Sequence, residues 1–362
     1  MSYYILPKVT NCITVNPIFA DNICPTYCSF SLSNYYNHIT SQINSICLHN
    51  PDVSYNYNEL IQIINPYAYV FFTVPGSTYS VSKLKPKSND FYDLLEICIT
   101  LNILDTYSNT SIKSLHISVN SVDTVNCIEM LRENYKEDTI VKENEELLDA
   151  KFDIIIFNKP HDDIQIYMSQ LFEFVMYILR HQELGGTSII KIDHMFHKPI
   201  IDVMYILSSL FEKVYIIKPN TINITTFEKY IVCKNLNANI DTNLELYKHN
   251  YNKLNYAIKN RNKNIHSIMN NEIPYYFINK IEDINVILGH QQLESLNQII
   301  SILKNKNKEE KIEHMKKNSI QKAIDWCEKF KIPCHKFSEK TNIFLPIVKE
   351  TDINSCLFSP PT

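Results

Sequence analysis

Four short apolar runs, with helical segments between the first three, constrain this chain more than any other feature. Residues 152–157 read FDIIIF, and after a Gly185-Gly186 break come residues 188–192 (SIIKI), 214–217 (VYII) and 230–233 (YIVC). Each is rich in β-branched residues and bounded by polar or turn-forming ones, as strands buried on both faces are. The intervening segments have helical spacing instead. Ile164, Met168, Leu171, Val175 and Ile178 share one face of residues 164–180. Ile200, Val203, Met204, Leu207 and Leu210 share one face of residues 199–211, and Pro199 suits a first helical turn. Strands alternating with helices predict a mostly parallel, doubly wound α/β sheet with helices on both faces. Only residues 218–228 separate the last two strands, too few for a crossover helix, so the last strand is expected to run antiparallel.

The rest of the chain is organised around that run. Residues 68–74 (AYVFFTV) read as a buried strand followed by the turn Pro75-Gly76-Ser77. Residues 90–101 read as a helix capped by Ser88 or Asn89, 115–119 as a strand, 122–131 as a helix and 139–141 as a short strand. Upstream, an amphipathic stretch near 35–46 predicts a helix. Beyond Leu236 the pattern turns helical over 244–262, 275–288, 292–304 and 308–330, stopped by Ile332-Pro333. This predicts a lead-in segment (1–60), a sheet domain (61–240), a helical C-terminal region (241–345) and a tail (346–362).

Composition narrows the chemistry. The only glycines are Gly76, Gly185, Gly186 and Gly289, which excludes a phosphate cradle of the GxGxxG or P-loop kind. The net charge of -4 sets up no global field for nucleic acid, although the stretch beyond Tyr247 is Lys-rich. The ten cysteines are scattered without a paired CxxC pattern, which predicts reduced thiols in a cytoplasmic protein and no zinc. His194 and His197 form an HxxH with no further ligand in view, read as loop histidines and not a metal site. No run approaches the ~18 apolar residues of a membrane span, so no membrane partner is expected.

Lys191 ends one strand, Lys218-Pro219 ends the next, and Glu228-Lys229-Tyr230-Ile231-Val232-Cys233 opens the last. This constellation resembles the end of the FtsJ-like (RrmJ-type) family of RNA 2′-O-methyltransferases, whose signature is a Gly-Gly strand ending in Lys, a helix, a strand ending Lys-Pro and a loop closing on Glu-x-Tyr-x-Val. The resemblance implies a class I (Rossmann-like) methyltransferase sheet with a helical C-terminal extension, S-adenosylmethionine as cofactor and RNA, such as an mRNA cap, as substrate. It also implies roles for residues. Lys191 and Glu228 take the second Lys and the Glu of a Lys-Asp-Lys-Glu tetrad, and Asn158 stands where the Asp ends the fourth strand. Pro75, Gly76 and Ser77 stand where the family's Pro-Gly-Gly-Phe turn approaches the cofactor, and Val70 stands where it has an acidic residue. Lys218 and Asn223 fall on the RNA side, Asn223 in place of an Arg. The heavy use of Asn, Ile, Lys and Tyr fits an AT-rich genome, and large cytoplasmic DNA viruses of the mimivirus-like sort carry such proteins.

The departures decide the expected function. In the family a second lysine lowers the pKa of the base by like-charge repulsion. It lies on the helix before the first strand, yet residues 9–82 contain no Lys or Arg, and Lys8 is far upstream. Left with Glu228 alone, Lys191 stays an ammonium and makes a salt bridge. Asp162 or Asp163, and Lys83, Lys85 or Lys87, are the residues that would have to restore the missing charges. The expected reading is a catalytically lapsed subunit, RNA-binding or stimulatory, in viral mRNA modification. The alternatives are an active cap 2′-O-methyltransferase with a rearranged tetrad, and a structural virion protein.

Overall fold

The computed structural model describes residues 2–10, 13–49, 57–119, 121–135, 137–142, 150–159, 161, 163–237, 244–259, 263–304, 309–335 and 337. Asp162, one of the two candidate replacement carboxylates, and the tail 346–362 lie outside them. The strands are β1 (Ser2–Ile5), β2 (Val15–Ala20), β3 (Lys113–Ser118), β4 (Thr139–Lys142), β5 (Phe152–Asn158), β6 (Gln182–Ile192), β7 (Phe211–Lys218), β8 (Lys229–Leu236) and β9 (Asn264–Met269). The helices are α1 (Phe30–His49), α2 (Tyr57–Ile64), α3 (Asp90–Thr100), α4 (Ser121–Leu131), α5 (Ile164–His181), α6 (Lys198–Leu210), α7 (Leu244–Lys259), α8 (Tyr275–Lys304) and α9 (Glu309–Lys329).

The chain forms two compact units that interleave along the sequence. The first comprises 1–36, 90–222 and 226–290, and the second 37–89, 223–225 and 291–362. In the first, a seven-stranded sheet has the order β1-β7-β8-β6-β5-β3-β4. Neighbours β4, β3, β5 and β6 pair in parallel, while β8 inserts antiparallel between β6 and β7 and β1 pairs antiparallel along β7. Five strands therefore run one way and two the other. That is the expected mixed, doubly wound layer with its last strand reversed.

Burial explains why these segments are strands. Ile154, Ile155, Ile189, Ile190, Ile216, Val232 and Cys233 are each at most 2% exposed, so the central strands carry apolar side chains on both faces. The Gly-Gly break has a local cause. Gly185 has φ +77, in the left-handed region, and a Cβ on Gly186 would lie 2.8 Å from the backbone oxygens of Asp153 and Glu183. Gly186→Ala should therefore lower unfolding stability by about 2 kcal/mol or more, measured by urea denaturation. An unchanged midpoint would mean that β5 and β6 are not packed this closely.

Three expectations change. Residues 68–74 are not a strand: Ala68–Val70 is a 3-10 turn in the second unit. Its backbone donors are used locally, Val70 N to Tyr67 O at 3.1 Å and Phe72 N to Ala68 O at 2.9 Å, while Tyr69 and Val70 are fully buried. A short apolar run cannot by itself distinguish a strand from a buried turn. The helices expected at 275–288 and 292–304 are one continuous α8. Gly289 does not break it, because close packing replaces the missing side chain: a Cβ there would stand 2.5 Å from Leu32 Cδ2. The segments expected to be a lead-in and a helical extension also supply strands, β1 on the main sheet and β2 paired with β9 in a separate two-stranded ribbon.

Candidate functional site

Register brings the candidate residues to the carboxyl end of the parallel strands. Lys191 pairs with Tyr230 and Ile192 with Lys229 across β6 and β8, while Asn158 closes β5. Glu228 immediately precedes β8, so the reversed strand begins where its neighbours end. Ligands of open α/β sheets bind at this end.

The groups gathered around Lys191 are acidic. Its Nζ donates to Asp90 Oδ1 at 2.9 Å and lies 3.7 Å from Glu228 Oε2, and the Tyr230 ring centroid is 5.8 Å away. Asn158 Nδ2 donates to the other Asp90 oxygen at 2.9 Å. Asp90 thus links Lys191 with Asn158, the expected site of the tetrad carboxylate. One turn on, Asp93 accepts from Thr221 Oγ1 at 2.5 Å, and Tyr230 Oη lies 3.4 Å from its second oxygen.

The titration behaviour follows from these neighbours. Burial alone would depress the Lys191 pKa, but the carboxylates of Glu228, Asp90 and Asp93 outweigh it and hold the ammonium well above its usual range. For Asp93, burial is the largest influence and pushes its pKa up to about 8, against the pull of Lys191 and the Thr221 hydrogen bond and with the added push of Asp90 and Glu228. Near neutrality the centre holds a charged lysine beside a largely protonated carboxyl.

The helix before β3, the first strand of the parallel set, is α3, and its buried face presents Asp90 and Asp93. Asp163 caps α5, accepting from Gln165 N at 2.8 Å and Ile166 N at 3.3 Å. Lys8 donates to Ser209 O and Phe211 O at 3.0 and 2.7 Å, and Lys83, Lys85 and Lys87 belong to the second unit.

Pro75, Gly76 and Ser77 belong to the second unit and form a tight turn, with Ser77 N bonded to Val74 O at 2.9 Å and Gly76 at φ 78, the geometry a Pro-Gly type II turn demands. They do not follow a sheet strand, which removes the premise of their assignment to the cofactor. After β3 the chain enters α4 through Val119 and Asn120; neither is glycine, and Val119 is 73% exposed. Asn223 accepts from Thr225 N and Oγ1 at 2.9 and 2.8 Å, a local turn.

Lys218 donates to Thr226 O, closing its own connector. Burial lowers its pKa to about 8. Lys229, which sequence reasoning passed over, donates to Asp193 O at 2.7 Å, and burial, then Lys218, lowers its pKa to about 7. His194 and His197 have ring centroids 5.0 Å apart and pKa values lowered to about 4, chiefly by burial, so both are neutral. No described helix is long and apolar enough to cross a membrane.

Asp90 and Asp93 are the members of this cluster that sequence reasoning missed. The available signal was their spacing: Asp90, Asp93 and Glu96 recur every three residues, on one face of a helix that is otherwise apolar, and all three are at most 6% exposed.

No family model and no curated protein sequence matches the chain. Among solved structures it is similar to a Haemonchus contortus phosphoethanolamine N-methyltransferase in complex with phosphomonomethylethanolamine and S-adenosylhomocysteine, at TM-score 0.26 and 15% identity over 40% of this chain and 38% of that one. It is also similar to a Listeria monocytogenes protein described as a class I S-adenosylmethionine-dependent methyltransferase, at TM-score 0.26 and 8% identity over 58% of this chain and 89% of that one. This chain therefore spans well under two thirds of the first of these proteins. Likenesses this slight leave the fold assignment resting on the strand order described above.

Proposed function

We propose that this chain is an FtsJ-like methyltransferase-fold protein whose catalysis has lapsed, serving as an RNA-binding or stimulatory subunit of a viral mRNA-modifying enzyme in the host cytoplasm. One observation carries the reading: Lys191, the residue that would deprotonate a ribose hydroxyl, is surrounded by Asp90, Asp93 and Glu228. A base must be able to release its proton near the working pH. The Asp90 and Glu228 carboxylates oppose that release near neutrality and Asp93 joins them once ionised, and the helix that supplies a second lysine in the family supplies Asp90 and Asp93 here. The turn expected to meet the cofactor follows no sheet strand, which supports the reading of a framework kept without its reaction centre. RNA contact in this reading falls to lysines such as Lys311, Lys317 and Lys322, exposed along α9.

Incubation of the full chain with methyl-labelled S-adenosylmethionine and capped RNA tests it. The expected result is methyl transfer no faster than in buffer, no calorimetric heat from the cofactor, and RNA retention that weakens as salt rises. Turnover that Lys191→Ala abolishes would identify an active 2′-O-methyltransferase and reject the lapsed reading. Absence of both turnover and RNA retention would reject the RNA-binding role.

A further inference from the structure

The segment between β2 and α1, the first turn of α6, and the β2–β9 ribbon with the residues that follow it line a cavity of about 530 Å³. Its volume is in the range of small-molecule sites. A buried ionic network forms one side. Asp202, fully buried on α6, accepts from Lys198 Nζ at 2.8 Å, Ser267 Oγ at 2.7 Å and the backbone N–H of Ile268 at 2.7 Å. Lys198 Nζ also donates to Ser267 Oγ at 2.7 Å. An ammonium carries three N–H groups. Asp202 and Ser267 take two, and the third is open to whatever occupies the cavity that Lys198 lines. The Tyr27 ring lies 6.0 Å from the same nitrogen. Cys24, Met269 and Ile273 supply buried apolar wall, and Ile18 and Glu272 are exposed at the rim.

Charge selects the occupant. The Lys198 ammonium is already balanced by Asp202, the Cys24 thiol stays protonated, with its pKa pushed up to about 11, and Glu272 adds a negative charge. An anion would meet the Glu272 carboxylate and an ammonium already neutralised from behind by Asp202, with His266 Nε2 engaged by Asn22 O at 2.8 Å, and a cation would meet the Lys198 ammonium. A neutral molecule avoids both costs if its acceptor takes the third N–H of Lys198, its flat body lies against Tyr27 and the apolar wall, and its donor points toward Glu272. A carboxamide on an aromatic ring has these features. We propose that this cavity is a binding site for small neutral aromatic amides, independent of whether catalysis at Lys191 has lapsed.

Three probes of one shape separate the charge classes: benzamide, benzoate and benzylammonium, titrated into the full-length protein by calorimetry and ligand-observed NMR. Benzamide should bind saturably, and the two ions at least tenfold more weakly. Lys198→Met should weaken benzamide at least tenfold. Because that change leaves Asp202 without its partner and risks the fold, Ile18→Trp provides a second test: it fills the rim from an exposed strand position and should abolish binding at an unchanged melting temperature. No saturable benzamide signal, benzoate or benzylammonium binding as tightly, or undiminished binding in Ile18→Trp would each overturn the proposal.

Discussion

Lys191→Met is expected to destabilise the protein by about 3 kcal/mol or more while leaving methyl transfer at background. The side chains of Lys191 and Asp90 are only 17% and 8% exposed, so removing the ammonium leaves a buried carboxylate next to Asp93 and Glu228 with little water to replace its partner. Breaking one side of a buried ion pair costs ~3–5 kcal/mol in well-studied cases, most of it the unpaired charge that remains. The remedy follows from the cause. Lys191→Met combined with Asp90→Asn removes both charges, lets the introduced amide keep a polar contact with Asn158, and should recover most of the loss, giving a favourable coupling in a double-mutant cycle. Urea unfolding of the wild type, the two single variants and the pair measures it. A catalytic lysine predicts the opposite pattern: a stability cost under ~1 kcal/mol with loss of a measurable methyl-transfer rate. That pattern would make Lys191 a working base and end the lapsed reading.

The parallel strands and their helices were readable because their signals are local. β5, β6, β7 and β8 are apolar runs whose burial comes from their own composition, and α5 and α6 carry an apolar stripe that identifies them without knowledge of the partner. What escaped depends on distant partners. β2 pairs with β9 across some 250 intervening residues, as Val15 with Met269, and neither segment alternates cleanly enough to declare itself. Residues 68–74 have strand composition but sit in a turn, because Pro75-Gly76 and local hydrogen bonds claim the backbone. The centre was half legible. Lys191, Glu228 and Asn158 could be placed from the order of residue types along the chain, and the structure gathers them. Asp90 and Asp93 could not, since acidic residues in a first helical turn ordinarily serve the helix dipole in water. Only the fold shows that α3 turns them inward to a lysine a hundred residues away.

Asp93→Asn should change the pH dependence of stability more than its value at low pH. The Asp93 carboxyl has a usual pKa of 3.8, raised to about 8 in the folded chain by burial above all, then by Asp90 and Glu228. As pH rises from 4 to 8 the unfolded chain releases this proton and the folded chain keeps it. The unfolded state then binds fewer protons, so stability falls across that window, and the loss is complete only above about 8. A rise of about four units corresponds to at most ~6 kcal/mol, and relaxation of the buried site and entry of water bring the expected fall to about 3 kcal/mol. Lys229 and Lys218 act in the other direction at higher pH: their folded values near 7 and 8 lie below the usual 10.5, so the folded state gives up protons first and stability rises from about pH 7 to 10.5. Asparagine at position 93 can still accept from Thr221 and donate toward Tyr230, but it has no proton to hold. Urea midpoints between pH 4.5 and 9.5 should therefore show the variant level with the wild type at the acid end and about 2–3 kcal/mol more stable near pH 8, with the rise above pH 8 common to both. A constant offset at every pH would mean that the substitution alters packing alone. It would also mean that Asp93 is already ionised beside Lys191, so that this centre is an ordinary cluster of charged pairs.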